Sequence, residues 1–192
     1  MIYKTSKGFD LFTNFSKKII LTRGNVKNFI KKVTRNKLKN KDTDLYIGFF
    51  GYEILNYLIN IKIKKQNGMN FPKGIFYKPE TKIKLSSKLN YKIVRKIKSN
   101  NIFKVNLSET SYKKIFNKFK KKIKSGETYQ IKICTKYKNK SKIDPLDFFC
   151  RLTKTNMAPE SFMIKDNDYS IISCSPENLI TKKKDSISTK PV

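Results

Sequence analysis

The 192-residue sequence predicts a mixture of amphipathic helices and antiparallel strand pairs, and three stretches predict it. Between residues 108 and 125, Tyr112, Ile115, Phe116, Phe119 and Ile123 recur at three- and four-residue steps while lysines fill most remaining positions, as one apolar helix stripe requires. Ser108 and Thr110 offer N-cap oxygens, and Gly126 stops the helix. Beyond the glycine the period becomes two: Tyr129, Ile131 and Ile133 fall on one face of a strand, Gln130, Lys132 and Cys134 on the other. The third stretch holds two hairpins. Phe162 to Ile164 and Tyr169 to Cys174 flank the turn Asp166-Asn167-Asp168, while Asn178 to Thr181 and Ser186 to Thr189 flank the turn Lys182 to Asp185.

From the N-terminus, Lys18 to Thr22 form a short apolar run ending at Gly24, after which Asn25 caps a helix with Val26, Phe29, Ile30 and Val33 on one stripe. Residues 36–44 make a polar loop. Leu45 to Tyr52 is the most apolar run and reads as a buried strand, whose Gly48 and Gly51 permit close approach of other backbone. Glu53 to Ile61 continues as a helix, and Lys62 to Asn70 as a basic loop. A membrane span across Leu45 to Ile61 is disfavoured by its length and by Glu53. Gly74 to Lys78 and Thr81 to Leu85 suggest two strands around a turn at Pro79-Glu80. Asn90 to Asn106 is a lysine-rich connector, which divides the chain into residues 1–106 and 107–192. Asp144 then caps a helix with Pro145 at its first position and Leu146, Phe149, Cys150 and Leu152 facing inward.

Lys and Arg number 44 against 14 Asp and Glu, a net charge of +30 that invites a nucleic-acid reading. The distribution favours a simpler source. Only Arg23, Arg35, Arg95 and Arg151 are arginine, and Ala158 is the sole alanine. Lys, Ile, Asn, Phe and Tyr have A/T-rich codons and abound, so codon bias is preferred over a nucleic-acid footprint. The best basic patch, Lys113 to Lys124, carries Tyr112, Phe116 and Phe119 on a stripe that a core would claim. Cys134, Cys150 and Cys174 lack CxxC spacing and histidine is absent, so neither a disulfide framework nor a zinc site is suggested. Acid/base chemistry is left to carboxylates, lysines, tyrosines or water. The N-terminal residues lack a signal-peptide h-region, and the expected setting is soluble, reducing and cytoplasmic.

One carboxylate stands out by position. Tyr169 to Cys174 runs into Ser175-Pro176-Glu177, where proline ends the ladder and Glu177 is presented from a strand end. Such a group suits acid/base work if its surroundings tune it. From these residues alone a solvated turn glutamate is the simpler reading.

Five blocks, taken together and in order, carry a resemblance. Gly126-Glu127-Thr128-Tyr129-Gln130 resembles the GD-x-Y/F-Q motif of the chorismate-utilising enzymes, the family of anthranilate synthase component I and aminodeoxychorismate synthase component I. Ser173-Cys174-Ser175-Pro176-Glu177 resembles that family's S-x-SPE motif, and Asp144-Pro145-Leu146 its DP-x helix start. Asn156-Met157-Ala158-Pro159-Glu160-Ser161-Phe162 is similar to the N-x-S/A-P-F/Y segment, from which Met157 and Glu160 depart. Gly48-Phe49-Phe50-Gly51-Tyr52-Glu53 is similar to G-x-x-GY-E/D.

The resemblance implies an α+β fold, a two-layered antiparallel β-sandwich flanked by helices with the chorismate site between the layers. Thr189-Lys190-Pro191-Val192 resembles the start of a further motif, T/R-P-I-A/K-GT-x-PR, beyond which the family keeps its Mg2+-binding glutamates, a histidine and the residues holding the substrate carboxylates. The expectation is therefore an incomplete N-terminal part that neither turns over chorismate nor folds well alone, with Mg2+ ligands beyond Val192. Two positions carry over. Glu177 matches the candidate general acid for loss of the C4 hydroxyl of chorismate. Gln130, a substrate-side residue, stands where related isochorismate synthases keep a water-activating lysine, and a neutral amide cannot serve as that base. The ammonia-using branch follows, with a glutamine amidotransferase as partner. Ala158 and the lack of a clear Leu-Leu-Glu-Ser element favour aminodeoxychorismate synthase over anthranilate synthase.

Overall fold

The main sheet of this protein carries an apolar core on each face, and that decides how its strands read in the sequence. The computed structural model describes residues 1–5, 7–35, 42–59, 71–86, 102–183 and 186–190, so the loops expected near 36–41 and 62–70 and most of the 90–106 connector lie outside the described residues. Two compact units are present: residues 1–92 with 145–192, and residues 93–144.

The larger unit is built on a six-stranded antiparallel sheet of order β3-β4-β2-β1-β7-β8. Its strands are β1 (Ile2–Thr5), β2 (Gly8–Ile20), β3 (Ile47–Phe50), β4 (Gly74–Leu85), β7 (Glu160–Lys165) and β8 (Ser170–Ser175). Neighbouring apolar residues point to opposite cores, as the pleat requires. Phe12, Ile75, Tyr77 and Ile164 close one core with Met1, against which Phe162 and Ile171 pack. Ile2, Phe9 and Met163 close the other with Phe149, and Leu11 and Ile172 join them. A sheet buried on both faces gives near-continuous apolar runs rather than alternation.

Helices supply the covers. α4 (Pro145–Thr155) begins at the expected proline and places Phe149, with no exposed surface, edge-on to Phe9 at 6.0 Å between ring centroids. Buried Asp147 pairs with Arg151 one turn later at 3.0 Å. α1 (Val26–Arg35) turns Val26 and Phe29 into a third cluster with Leu21 and Ile54. Its start is as expected, but Asn25 works backwards: its Oδ1 accepts from the Thr22 N–H at 2.8 Å and its Nδ2 donates to the Ile20 carbonyl at 2.9 Å. The side chain therefore holds the turn that enters the helix.

Several expectations change. The apolar run at 18–22 is the end of a 13-residue strand, β2. The run at 45–52 holds an edge strand, β3, with Phe50 half-exposed, because β4 covers only one side of it. Gly48 does serve close approach: a Cβ there would lie 1.9 Å from the Ile75 carbonyl oxygen. The helix expected from Glu53 is a 3-10 turn (Tyr52–Ile54) and a single turn, α2 (Leu55–Leu58). No hairpin turn exists at Pro79. β4 runs straight through it, because Pro79 faces Phe15 where the β2 register shifts between Phe15 and Lys17. A bulge leaves the ladder locally unpaired, so a residue without an N–H costs nothing there. Ser16, the bulged residue, bonds the Lys78 carbonyl.

Both C-terminal hairpins form, the first around its expected turn, while in the second Lys182 and Lys183 continue the strand instead of turning. β7 and β8 pair antiparallel, as do β9 (Asn178–Lys183) and β10 (Ser186–Lys190). The sheet curls, so that the β7–β8 turn reaches β2 and β4. There Asp166 accepts hydrogen bonds from Lys18 Nζ at 2.7 Å and from the Tyr77 hydroxyl, which lies 3.4 Å from that of Tyr169. Burial pushes the Tyr77 phenol well above its usual range, and the bonds to Asp166 and Tyr169 push it further. For Asp166, burial raises the carboxyl, but bonds from Lys18, Tyr77 and the Asn167 N–H outweigh it and hold the pKa at about 2 against an ordinary 3.8. A depressed carboxyl stabilises the fold above its unfolded pKa and loses that contribution as pH falls through the folded value. That contribution should therefore fade as the pH drops from about 4 towards about 2, where the folded carboxyl takes up its proton. An acid titration of unfolding free energy should show that slope, and Asp166→Asn should flatten it.

The smaller unit holds α3 (Glu109–Lys124) and a short ribbon of β5 (Lys104–Val105) and β6 (Tyr137–Lys138). The helix is as the sequence predicts. The Ser108 hydroxyl accepts from the Ser111 N–H at 3.2 Å, and Gly126 (φ +75°) closes the end, with the Glu127 N–H donating to the Lys122 carbonyl and the Gly126 N–H to the Ile123 carbonyl. That is the Schellman pattern. Its stripe is not covered as expected: no α3 residue is buried, and the Tyr112 and Phe116 rings stack half-exposed. The strand expected at 129–134 is also absent; the described chain there is irregular. An alternating pattern becomes a strand only beside a partner that completes the ladder, and no described strand pairs with these residues.

Candidate functional site

Glu177 sits at the corner where β8 ends and β9 begins. Pro176 interrupts the pairing, and Ser175 fixes the bend: its hydroxyl donates to the Glu177 carbonyl at 3.0 Å and accepts from the Glu177 N–H at 3.3 Å. This Ser-x-x arrangement is a local alternative to ladder bonding. The Glu177 carboxyl is exposed, so it can meet a ligand without moving the sheet. A carboxyl in that position can hold or release one proton at a leaving oxygen.

Beside the corner lies the 156–162 segment. Ala158 is buried, and its carbonyl accepts from Lys4 Nζ at 2.7 Å and from the Ser161 hydroxyl at 3.4 Å. Glu160 takes the Tyr3 hydroxyl on Oε2 and Asn178 Nδ2 on Oε1 at 2.8 Å. Burial first, and the Glu160 carboxylate second, push the Tyr3 phenol up to about 12. Asn178 is held in turn, its Oδ1 accepting from the Thr181 hydroxyl at 3.1 Å. The sequence pointed to Glu177 and the 156–162 segment separately. The link between them through Glu160, Tyr3 and Asn178 joins residues far apart in the chain, and its one sequence signal is the departure of Glu160 from the aromatic pattern.

Gln130 belongs to the other compact unit, in the irregular stretch after α3. It is exposed, and its carbonyl accepts from the Thr128 hydroxyl at 3.1 Å. Glu127 ion-pairs with Lys122. Among the described residues no three of His, Cys, Asp or Glu come together as a metal site. Cys134, Cys150 and Cys174 are free. No described helix is long and apolar enough to cross a membrane.

The larger unit also holds a partly open apolar pocket of about 440 Å³, walled by Met1, Phe12, Ile47, Phe76 and Ile164, with the Asp10–Lys82 ion pair (3.1 Å) in its lining. Glu177 does not line it.

Comparison with known proteins places this geometry. A family model described as chorismate binding enzyme matches residues 3–192. The chain is 25% identical over 186 residues to anthranilate synthase component 1 of Buchnera aphidicola subsp. Diuraphis noxia, covering 78% of this chain and 35% of that protein. It is 27% identical over 90 residues to aminodeoxychorismate synthase component 1 of Klebsiella aerogenes, covering 47% of this chain and 20% of that one. Anthranilate synthase component I from Streptococcus pneumoniae superposes with a TM-score of 0.77 at 16% identity, covering 98% of this chain and 53% of the solved chain. The chain thus spans about a third of the first relative and about half of the solved structure. That superposition bears out the α+β, antiparallel fold class. With its match running almost end to end, the chain belongs to the chorismate-binding enzymes.

Proposed function

We propose that the chain is part of an aminodeoxychorismate synthase component I, which converts chorismate and ammonia to 4-amino-4-deoxychorismate. Glu177 acts as general acid, delivering its proton to the C4 hydroxyl so that it departs as water. The observation that carries this reading is the clamped corner: an exposed carboxyl held by its own backbone bonds at a strand end. Ammonia as nucleophile fits Gln130, whose amide cannot activate water as a base. A glutamine amidotransferase supplies that ammonia, and Mg2+ enters only through the family resemblance. Ala158, buried in the 156–162 segment, supports the aminodeoxychorismate branch.

A second reading, anthranilate synthase component I, is favoured by the Buchnera relative, whose match covers 78% of this chain. The product separates them. Full-length protein incubated with chorismate, ammonium and Mg2+ should yield 4-amino-4-deoxychorismate, read as 4-aminobenzoate after an added lyase. Anthranilate in its place would select the second reading, and chorismate left unbound and unchanged would overturn both.

A further inference from the structure

We propose that Glu160 is a positioning residue for Glu177, an inference that rests on reading Glu177 as the general acid. Glu160 opens β7, and its partner across the ladder is Ser175, the last residue of β8. Ser175 in turn grips the Glu177 backbone from both sides through its hydroxyl. One residue beyond Glu177, Asn178 Nδ2 donates to Glu160 Oε1 at 2.8 Å. Glu177 is therefore spanned by two anchors that both end on Glu160, one through the backbone ladder and one through the carboxylate.

The second carboxylate oxygen accepts from the Tyr3 hydroxyl, so Glu160 cannot swing away without also breaking its bond to a residue of β1. Both bonds join a donor to an ionised acceptor, the stronger class of hydrogen bond. With both oxygens engaged and the group half-buried, Glu160 is placed to hold the corner rather than to react. An aromatic residue at 160, as the family pattern has it, has no carboxylate to accept from Asn178 and Tyr3 together. The carboxylate is this chain's own device for a corner that holds an acid, and small displacements of such a group cost rate steeply.

Glu160→Ala, Glu160→Gln and Asn178→Ala in the full-length protein test this. Amide hydrogen exchange at Glu177 and Asn178 should rise by roughly tenfold or more in Glu160→Ala while the amides of Met163 and Ile172 keep their protection. The kcat should fall roughly 10- to 100-fold with KM within about twofold. Glu160→Gln keeps an oxygen for Asn178 and should restore most of both. Asn178→Ala removes the same bond from its other end and should reproduce the loss, which decides the matter if Glu160→Ala does not fold. Unchanged exchange at 177 and 178, or raised exchange with unchanged kcat, would overturn the inference. Raised exchange in a parent protein that never consumes chorismate would support the anchoring and instead overturn the proposed reaction.

Discussion

Replacing Glu177 by glutamine is expected to lower the turnover of chorismate by roughly 10²- to 10⁴-fold, the range one positioned proton donor contributes. The amide keeps the shape of the side chain but has no acidic proton to give a departing hydroxyl. Because the carboxyl is exposed and the corner is held by the Ser175 hydroxyl through backbone groups, the fold should be untouched. Chorismate affinity should change little, so the loss should appear in kcat. Glu177→Asp keeps the acid on a shorter arm and should fall between the two. Steady-state kinetics beside a thermal melt checks all of this, and a Glu177→Gln variant with near-normal kcat would remove Glu177 from the chemistry.

Phe149→Ala should be the most destabilising single truncation, by about 3–5 kcal/mol. The ring has no exposed surface and closes the core in which Ile2, Phe9 and Met163 meet. Three strands, β1, β2 and β7, contribute those neighbours, so α4 is fastened to the sheet largely by this ring. Truncation removes the buried apolar area and leaves a cavity that such a mixed wall cannot collapse to fill. Phe149→Leu retains most of the volume and should cost well under half as much. Denaturant unfolding of the two variants measures the difference. Equal, small effects would mean that α4 is held by something other than its buried ring.

What the sequence made legible was local chemistry. Pro145 marks the start of α4, Gly126 the end of α3, and Asp166-Asn167-Asp168 the β7–β8 turn, because each of these residues acts on its own backbone. What escaped depends on distant partners. Pro79 reads as a turn until the bulge at Ser16 makes room for a proline inside a strand. Tyr129 to Cys134 alternate correctly but have no strand to pair with among the described residues. β2 escaped for most of its length because Phe9 and Phe12 serve opposite cores, which blurs the period of two. The site divides in the same way. Pro176 announced the corner that presents Glu177, whereas the carboxylate of Glu160 meets Tyr3 across 157 residues of chain and Asn178 across 18.

A crystal structure of the full-length protein with chorismate bound bears most directly on Glu177 as the acid of a chorismate-consuming site. The expected result is a Glu177 carboxyl oxygen within roughly 3 Å of the C4 hydroxyl oxygen, with the Ser175 and Asn178 bonds at the corner intact. Chorismate bound with its C4 hydroxyl turned away from an intact corner, against some other acid, would contradict it.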